Sequence, residues 1–162
     1  MCGIVGVVGR KVELENFREM TDSLIHRGPD DSGMWFSNNH LSALGHRRLT
    51  ILELSSLGHQ PMVSNNKKLI ITYNGEIYNY KEIKATLISK GIKFYTNSDT
   101  EVLLAAYNEW GVKMLNRLRG MFAFAIWDDK KGKLFAARDR LGVKPFYYTE
   151  TNGYIAFASE IK

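Results

Sequence analysis

Only one cysteine, Cys2, occurs in the 162 residues. One thiol cannot form an internal disulfide, which fits a reducing compartment. Long hydrophobic runs are missing as well: stretches such as Met121 to Trp127 fall far short of the roughly 18 residues that a membrane-spanning helix needs. No basic segment followed by an apolar one opens the chain, as a secretory signal would. The expected location is therefore cytoplasmic, without a membrane partner.

Other absences narrow the chemistry. The four histidines, His26, His40, His46 and His59, show no metal-ligand spacing, so no metal is assigned. No Gly-rich phosphate loop of the Walker type and no Ser-Gly-Gly cluster occurs, which argues against a nucleotide site in this chain. The net charge of +5 is modest, and its basic residues are scattered, from Arg47-Arg48 through Lys67-Lys68 to Arg138, Arg140 and Lys144. A nucleic-acid partner would call for a concentrated basic face and a recognisable motif, so none is expected.

What remains is a composition of 44% hydrophobic and 24% charged residues without low-complexity segments, the signature of an ordinary globular domain. At this length one domain suffices, burying roughly 68–70% of the surface its unfolded chain exposes.

Cys2 to Gly9, almost all Ile, Val and Gly, reads as a strand buried on both faces. Leu14, Phe17, Met20 and Leu24 recur at helical spacing, which predicts a helix from Val12 to Ile25. "HRGPDDSG" reads as a turn. "MWFS", "HLSALGHRRLTI" and "KLIITYNGEIY" read as strands, with hairpin turns at Asn38-Asn39 and Asn65-Asn66. Helices are predicted over Tyr80–Lys90 and Thr100–Trp110, each followed by a glycine, Gly91 and Gly111. Ser98 and Glu101 have capping-box spacing. The last third holds three or four strands separated by "DDKKGK" and "TNG", connections too short for anything but antiparallel neighbours. Two layers of helix would cover a pair of sheets.

The position of Cys2 carries the chemistry. Once Met1 is removed, Cys2 presents an α-amine beside its own thiol, with reference pKa values of roughly 7.7–8.0 and about 8.5, close enough for the amine to act as base. A cysteine in an apolar strand is also ordinary packing material. An acyl-transfer nucleophile further needs donors aimed at its oxyanion. "YNGEIYN" offers the Asn74 side-chain amide and the Gly75 backbone, although Asn-Gly is equally a type I′ hairpin signal.

The motifs "CGIVGVVG", "HRGPDDSG", "GHRRLTI", "YNGEIYNY", "SDTEVLLAAY", "LRGMFAFAIWD" and "RDRLGVKPFYY" together resemble the glutamine amidotransferase domain of glutamine-dependent asparagine synthetases, over nearly all of residues 1–162. The resemblance implies an α+β fold, a four-layer αββα sandwich of two mainly antiparallel sheets. It implies hydrolysis of the L-glutamine side-chain amide through a Cys2 thioester, with Asn74 and Gly75 as the oxyanion hole. Arg48 would bind the substrate carboxylate, and Glu76 and Asp99 would face its ammonium. Arg47 is expected to be a surface cation, and His26 and His46 to be structural. Asp139 and Arg140 lie in a family signature whose purpose the sequence does not explain.

The same resemblance implies no cofactor for this domain. ATP and Mg are expected only in a C-terminal ATP-pyrophosphatase domain that consumes the ammonia. The chain's end at "ASEIK", without turn or cap, is expected of a cut within a longer protein. Three other readings stand beside this one: a silent glutamine-binding or docking module, an acylase with an N-terminal cysteine, and an amidotransferase domain serving a sugar or lactam acceptor.

Overall fold

The computed structural model describes residues 1–50 and 56–161. Two antiparallel sheets form its middle layers. In the first, β1 (Gly3–Val8) lies between β3 (Ser42–Arg48) and β9 (Tyr154–Ala158), with β2 (Asp31–Phe36) and β8 (Tyr147–Thr151) at the edges. The second orders β4 (Met62–Val63), β5 (Leu69–Ile77), β6 (Gly120–Asp128) and β7 (Lys133–Arg138). Helix α1 (Leu14–Asp22) packs on the outer face of the first sheet, while α2 (Tyr80–Ser89) and α3 (Asp99–Trp110) pack on that of the second. This is the αββα sandwich.

Three apolar layers fill the spaces, and strand alternation sorts residues among them. Val5, Val7 and Ala43 meet Phe17 and Leu24 on the α1 side. Leu44, Ile70, Ala125, Trp127 and Phe157 pack between the sheets. Ile71, Tyr73, Phe124 and Ile126 meet Leu87 and Leu103 of the other two helices. Even-numbered residues of β3 and β5 therefore face the gap between the sheets, and odd-numbered ones face the helices. No helix among the described residues is long and apolar enough to cross a membrane.

Several local expectations change. The first helix stops at Asp22: Ser23 N–H makes the last bond four residues back, to Glu19 O, and Leu24 N–H then bonds only three back, to Thr21 O, as the chain tightens into a 3₁₀ turn over Ile25–Arg27. The second half of "HRGPDDSG" is not a turn but the start of β2, which pairs Asp31 with Arg48. The third strand is shorter than its apolar pattern, since His40 turns with φ 55°; its predicted last residue, Ile51, lies outside the described residues. The strand expected over "KLIITYNGEIY" holds through Asn74-Gly75, which sits inside β5 opposite Ala123 and Phe122 of β6, so the alternative of a hairpin turn there falls.

The capping box is only half formed. Ser98 Oγ accepts from the Thr100 N–H at 3.1 Å and caps α3, which begins one residue earlier than its periodicity suggests. Glu101, however, accepts from the Tyr95 and Thr96 backbone N–H groups and the Thr96 hydroxyl. The glutamate thus ties down the α2–α3 connection, and Ser98 N–H donates to Thr96 Oγ1 instead.

Candidate active site

At one end of the gap between the sheets, Cys2, Arg48, Asn74, Gly75, Glu76 and Asp99 line a single cleft. Strand alternation explains most of this convergence. Arg48 is even-numbered on β3, as are Asn74 and Glu76 on β5, so all three point into the gap that Cys2 enters from the start of β1. The six residues expected from the sequence thus share one cavity.

Cys2 Sγ accepts from the Leu49 N–H at 3.4 Å and donates to Leu49 O at 3.6 Å. Burial pushes the thiol up, against the lowering pull of the Leu49 backbone, the chain's amino terminus, Arg48 and Lys144. The Cys2 carbonyl accepts from Arg27 Nε at 3.0 Å, while Arg27 Nη1 donates to Glu160 at 2.9 Å. The 3₁₀ turn and the segment after β9 therefore clamp the Cys2 backbone. Gly28 lets that turn lie flat on β3, since a Cβ there would sit 2.4 Å from Arg47 backbone atoms.

Asn74 is buried, and its Nδ2 finds no partner among the described residues. An unsatisfied buried donor is costly to keep, and this one belongs to a residue that lines the cleft. Gly75 is required by space: a Cβ would come within 2.3 Å of Met121 O and 2.8 Å of Phe122 Cα.

The two arginines part company. Arg48 is buried and lines the cleft. Arg47 points to the α1 side and is not a surface cation: it is buried, with Nε donating to Gly28 O at 3.2 Å and Nη1 to Asp22 at 3.3 Å. It braces the turn against β3.

Asp99, first residue of α3, is buried. Its Oδ2 accepts the Tyr73 hydroxyl at 2.7 Å and the Ile77 N–H at 3.1 Å. Burial raises its pKa, and these bonds with the first backbone N–H groups of α3 only partly offset the rise. Gln60, absent from the sequence-based set, lines the cleft and accepts the Tyr73 N–H on Oε1 at 2.8 Å. It extends the edge of β5 where β4 has ended. Nothing local in "GHQPM" signals this.

His46 lies buried between the sheets and donates from Nε2 to Tyr73 O at 3.0 Å. Burial lowers its pKa to about 4, so it stays neutral and can hold β3 against β5. His26 pairs with Glu160 at 2.9 Å. Among the described residues no three His, Cys, Asp or Glu gather as a metal site requires.

Asp139 now has a physical purpose. Its carboxylate accepts backbone N–H groups from Phe122, Val143 and Lys144 at 3.2, 2.9 and 3.0 Å. Burial alone would raise its pKa, but these donors hold it below the usual carboxylate range. Arg138 closes the same loop, donating to Gly142 O and Lys144 O at 2.6 Å each. The loop carries Lys144 into the cleft. Arg140 is exposed.

Comparison with known proteins agrees with this geometry. Residues 1–162 match the family model described as a glutamine amidotransferase domain. Glutamine-hydrolyzing asparagine synthetase 3 of Bacillus subtilis is 46% identical over all of this chain and 27% of its own length. A putative glutamine-hydrolyzing asparagine synthetase 2 of Methanocaldococcus jannaschii is 44% identical over all of this chain and 34% of its own. The chain thus spans about a third or less of these relatives. Among solved structures, the glutamine phosphoribosylpyrophosphate amidotransferase of B. subtilis superposes with a TM-score of 0.83 at 24% identity, covering 98% of this chain and 42% of that one, which shows the shared fold. From sequence, fold and family model together, the chain belongs to the glutamine amidotransferase domain family.

Proposed function

We propose that the chain hydrolyses the side-chain amide of L-glutamine through Cys2 and that Arg48, Asn74, Gly75, Glu76 and Asp99 serve that reaction. The observation that carries this is the unpaired, buried Nδ2 of Asn74 in the cleft that holds Cys2.

In the Cys-terminated chain, the α-amine takes the thiol proton and the sulfur attacks the amide carbon. The carbonyl π electrons move to oxygen, where Asn74 Nδ2 and the Gly75 N–H stabilise the charge. Collapse of this intermediate breaks the C–N bond, and the α-ammonium returns its proton to the departing ammonia. Water, deprotonated by the same amine, then hydrolyses the thioester to glutamate. Arg48 meets the substrate carboxylate with a planar bidentate fork, while Glu76 and Asp99 meet its ammonium. Charges at both ends select a free amino acid over a peptide amide. No cofactor enters these steps.

The relatives are named glutamine-hydrolyzing asparagine synthetases and are about three times as long as this chain or more, which supports a further, ATP-dependent synthetase domain that consumes the ammonia, with aspartate as the expected acceptor. The chain alone is expected to make glutamate and ammonia but no asparagine.

The test is glutamate release from glutamine by chain whose N-terminus has been checked by intact mass. Release from the Cys-terminated form, abolished by Cys2→Ala and absent in the Met-retaining form, supports the proposal. Glutamate release that survives Cys2→Ala would exclude Cys2 as nucleophile.

A further inference from the structure

Lys144 takes no part in these steps, yet its ammonium lies in the cleft. With Met1 in place the residue is only 7% exposed, and Nζ donates to Sδ of Met1, the residue joined to Cys2, at 3.5 Å; removal of Met1 takes away that acceptor and leaves Lys144 lining the same cleft as Cys2. Lysine is almost never buried without a strong partner, and a thioether is a weak acceptor. Among the described residues no carboxylate pairs with it. Asp139 and Arg138 fix its backbone from both sides, so the charge is delivered to this place by construction.

Its neighbours show what the charge offsets. Around Cys2 stand Arg48 and the Leu49 backbone from the end of β3, Arg27 on the Cys2 carbonyl, Tyr73 and Glu76 from β5, and Asp99 from α3. Glu76 and Asp99 both favour a protonated α-amine and a neutral thiol. Arg48, committed to the substrate carboxylate, loses much of its influence once glutamine binds.

Resting on the glutaminase reading above, we propose that Lys144 is a positioning residue for the N-terminal nucleophile. Its fixed positive charge favours the unprotonated α-amine over the ammonium and the thiolate over the thiol, so that near neutral pH the amine is free to take the thiol proton and the thiolate formed by that transfer is stabilised. The direction follows from Coulomb's law: a neighbouring cation disfavours a second cation and favours an anion. The same charge pulls the Cys2 thiol downward against burial.

The test uses Cys-terminated wild type, Lys144→Met and Lys144→Arg, with fold checked by thermal melting. Lys144→Gln is the substitute if the methionine variant misfolds. Two pH profiles are measured: iodoacetamide alkylation of the sole thiol, and the acid limb of kcat/KM for glutamine. Lys144→Met should raise both midpoints by about 0.5–1 pH unit while leaving the alkaline plateau near wild type, and Lys144→Arg should restore wild-type midpoints. Unchanged midpoints in Lys144→Met, or a loss of rate equal at every pH, would overturn the proposal. The alkylation profile needs no turnover. A shifted thiol midpoint in a chain that does not release glutamate would sink the glutaminase reading and leave the role of Lys144 standing; turnover with unshifted midpoints would do the reverse.

Discussion

The Tyr73 hydroxyl and the Asp99 carboxylate meet at 2.7 Å, joining the strand that bears the proposed oxyanion donors to the helix that bears the acid proposed for the substrate ammonium. The Ile77 N–H binds the same oxygen, so β5 orients Asp99 from two points four residues apart in sequence. Tyr73→Phe removes one of them without changing shape. Loss of a hydrogen bond to a charged group is worth about 1.5–3 kcal/mol, so KM for glutamine should rise about 10-fold or more while kcat changes little. Steady-state glutamate release measures both.

Asn74→Ala should divide cleanly between activity and stability. Removing one oxyanion donor costs about 10²–10³ in kcat, whereas Nδ2 makes no bond in the folded chain that the variant could lose. The thermal midpoint should therefore stay at or near the wild-type value as turnover collapses. A variant that melted early and kept its residual kcat would remove Asn74 from the reaction.

Adjacent arginines should give opposite phenotypes. Arg48→Ala is expected to raise KM for glutamine by about 100-fold, as loss of a charged bidentate contact implies, and Arg48→Lys should recover only part of it. Arg47→Ala should instead lower stability by about 1–3 kcal/mol, because Gly28 O and Asp22 lose their partner. Urea unfolding and steady-state kinetics on the two variants separate these outcomes.

His46 makes stability depend on pH. Its folded pKa of about 4 lies below the 6.5 of an ordinary histidine, so protonation favours the unfolded chain. The contribution is complete above pH 6.5 and drains away as pH falls toward 4, by about 3 kcal/mol in total. Urea midpoints at pH 7, 5.5 and 4.5 should fall accordingly, and His46→Gln, which can still donate to Tyr73 O, should flatten the slope.

The sequence displayed the site more clearly than the elements around it. Arg48, Asn74 and Glu76 are grouped through the resemblance of their motifs to a family, and alternation along β3 and β5 explains why the fold then turns all three toward one gap. Asn74-Gly75 carries a hairpin signal inside a predicted strand, and the strand reading holds because turn propensity is local and pairing with β6 along the whole of β5 outweighs it. Glu101 obeyed the cap spacing and then took the better offer of three donors at residues 95–96. Arg47, Gln60 and Lys144 owe their surroundings to partners far away in the chain, and no nearby pattern encodes such contacts. Asp139 looked like a motif without a function because its role is to collect backbone donors, which every residue type possesses.

The place of β1 in its sheet bears on how the protein is made. The first strand synthesised sits between β3 and β9, and Ile4 N–H and O are both bound by Ser159. On the ribosome, the amino terminus has no completed seat until Ser159 has emerged. The cleft around Cys2 is therefore complete only once β9 and Ser159 have joined β1, so contacts far apart in the chain must form before the site exists.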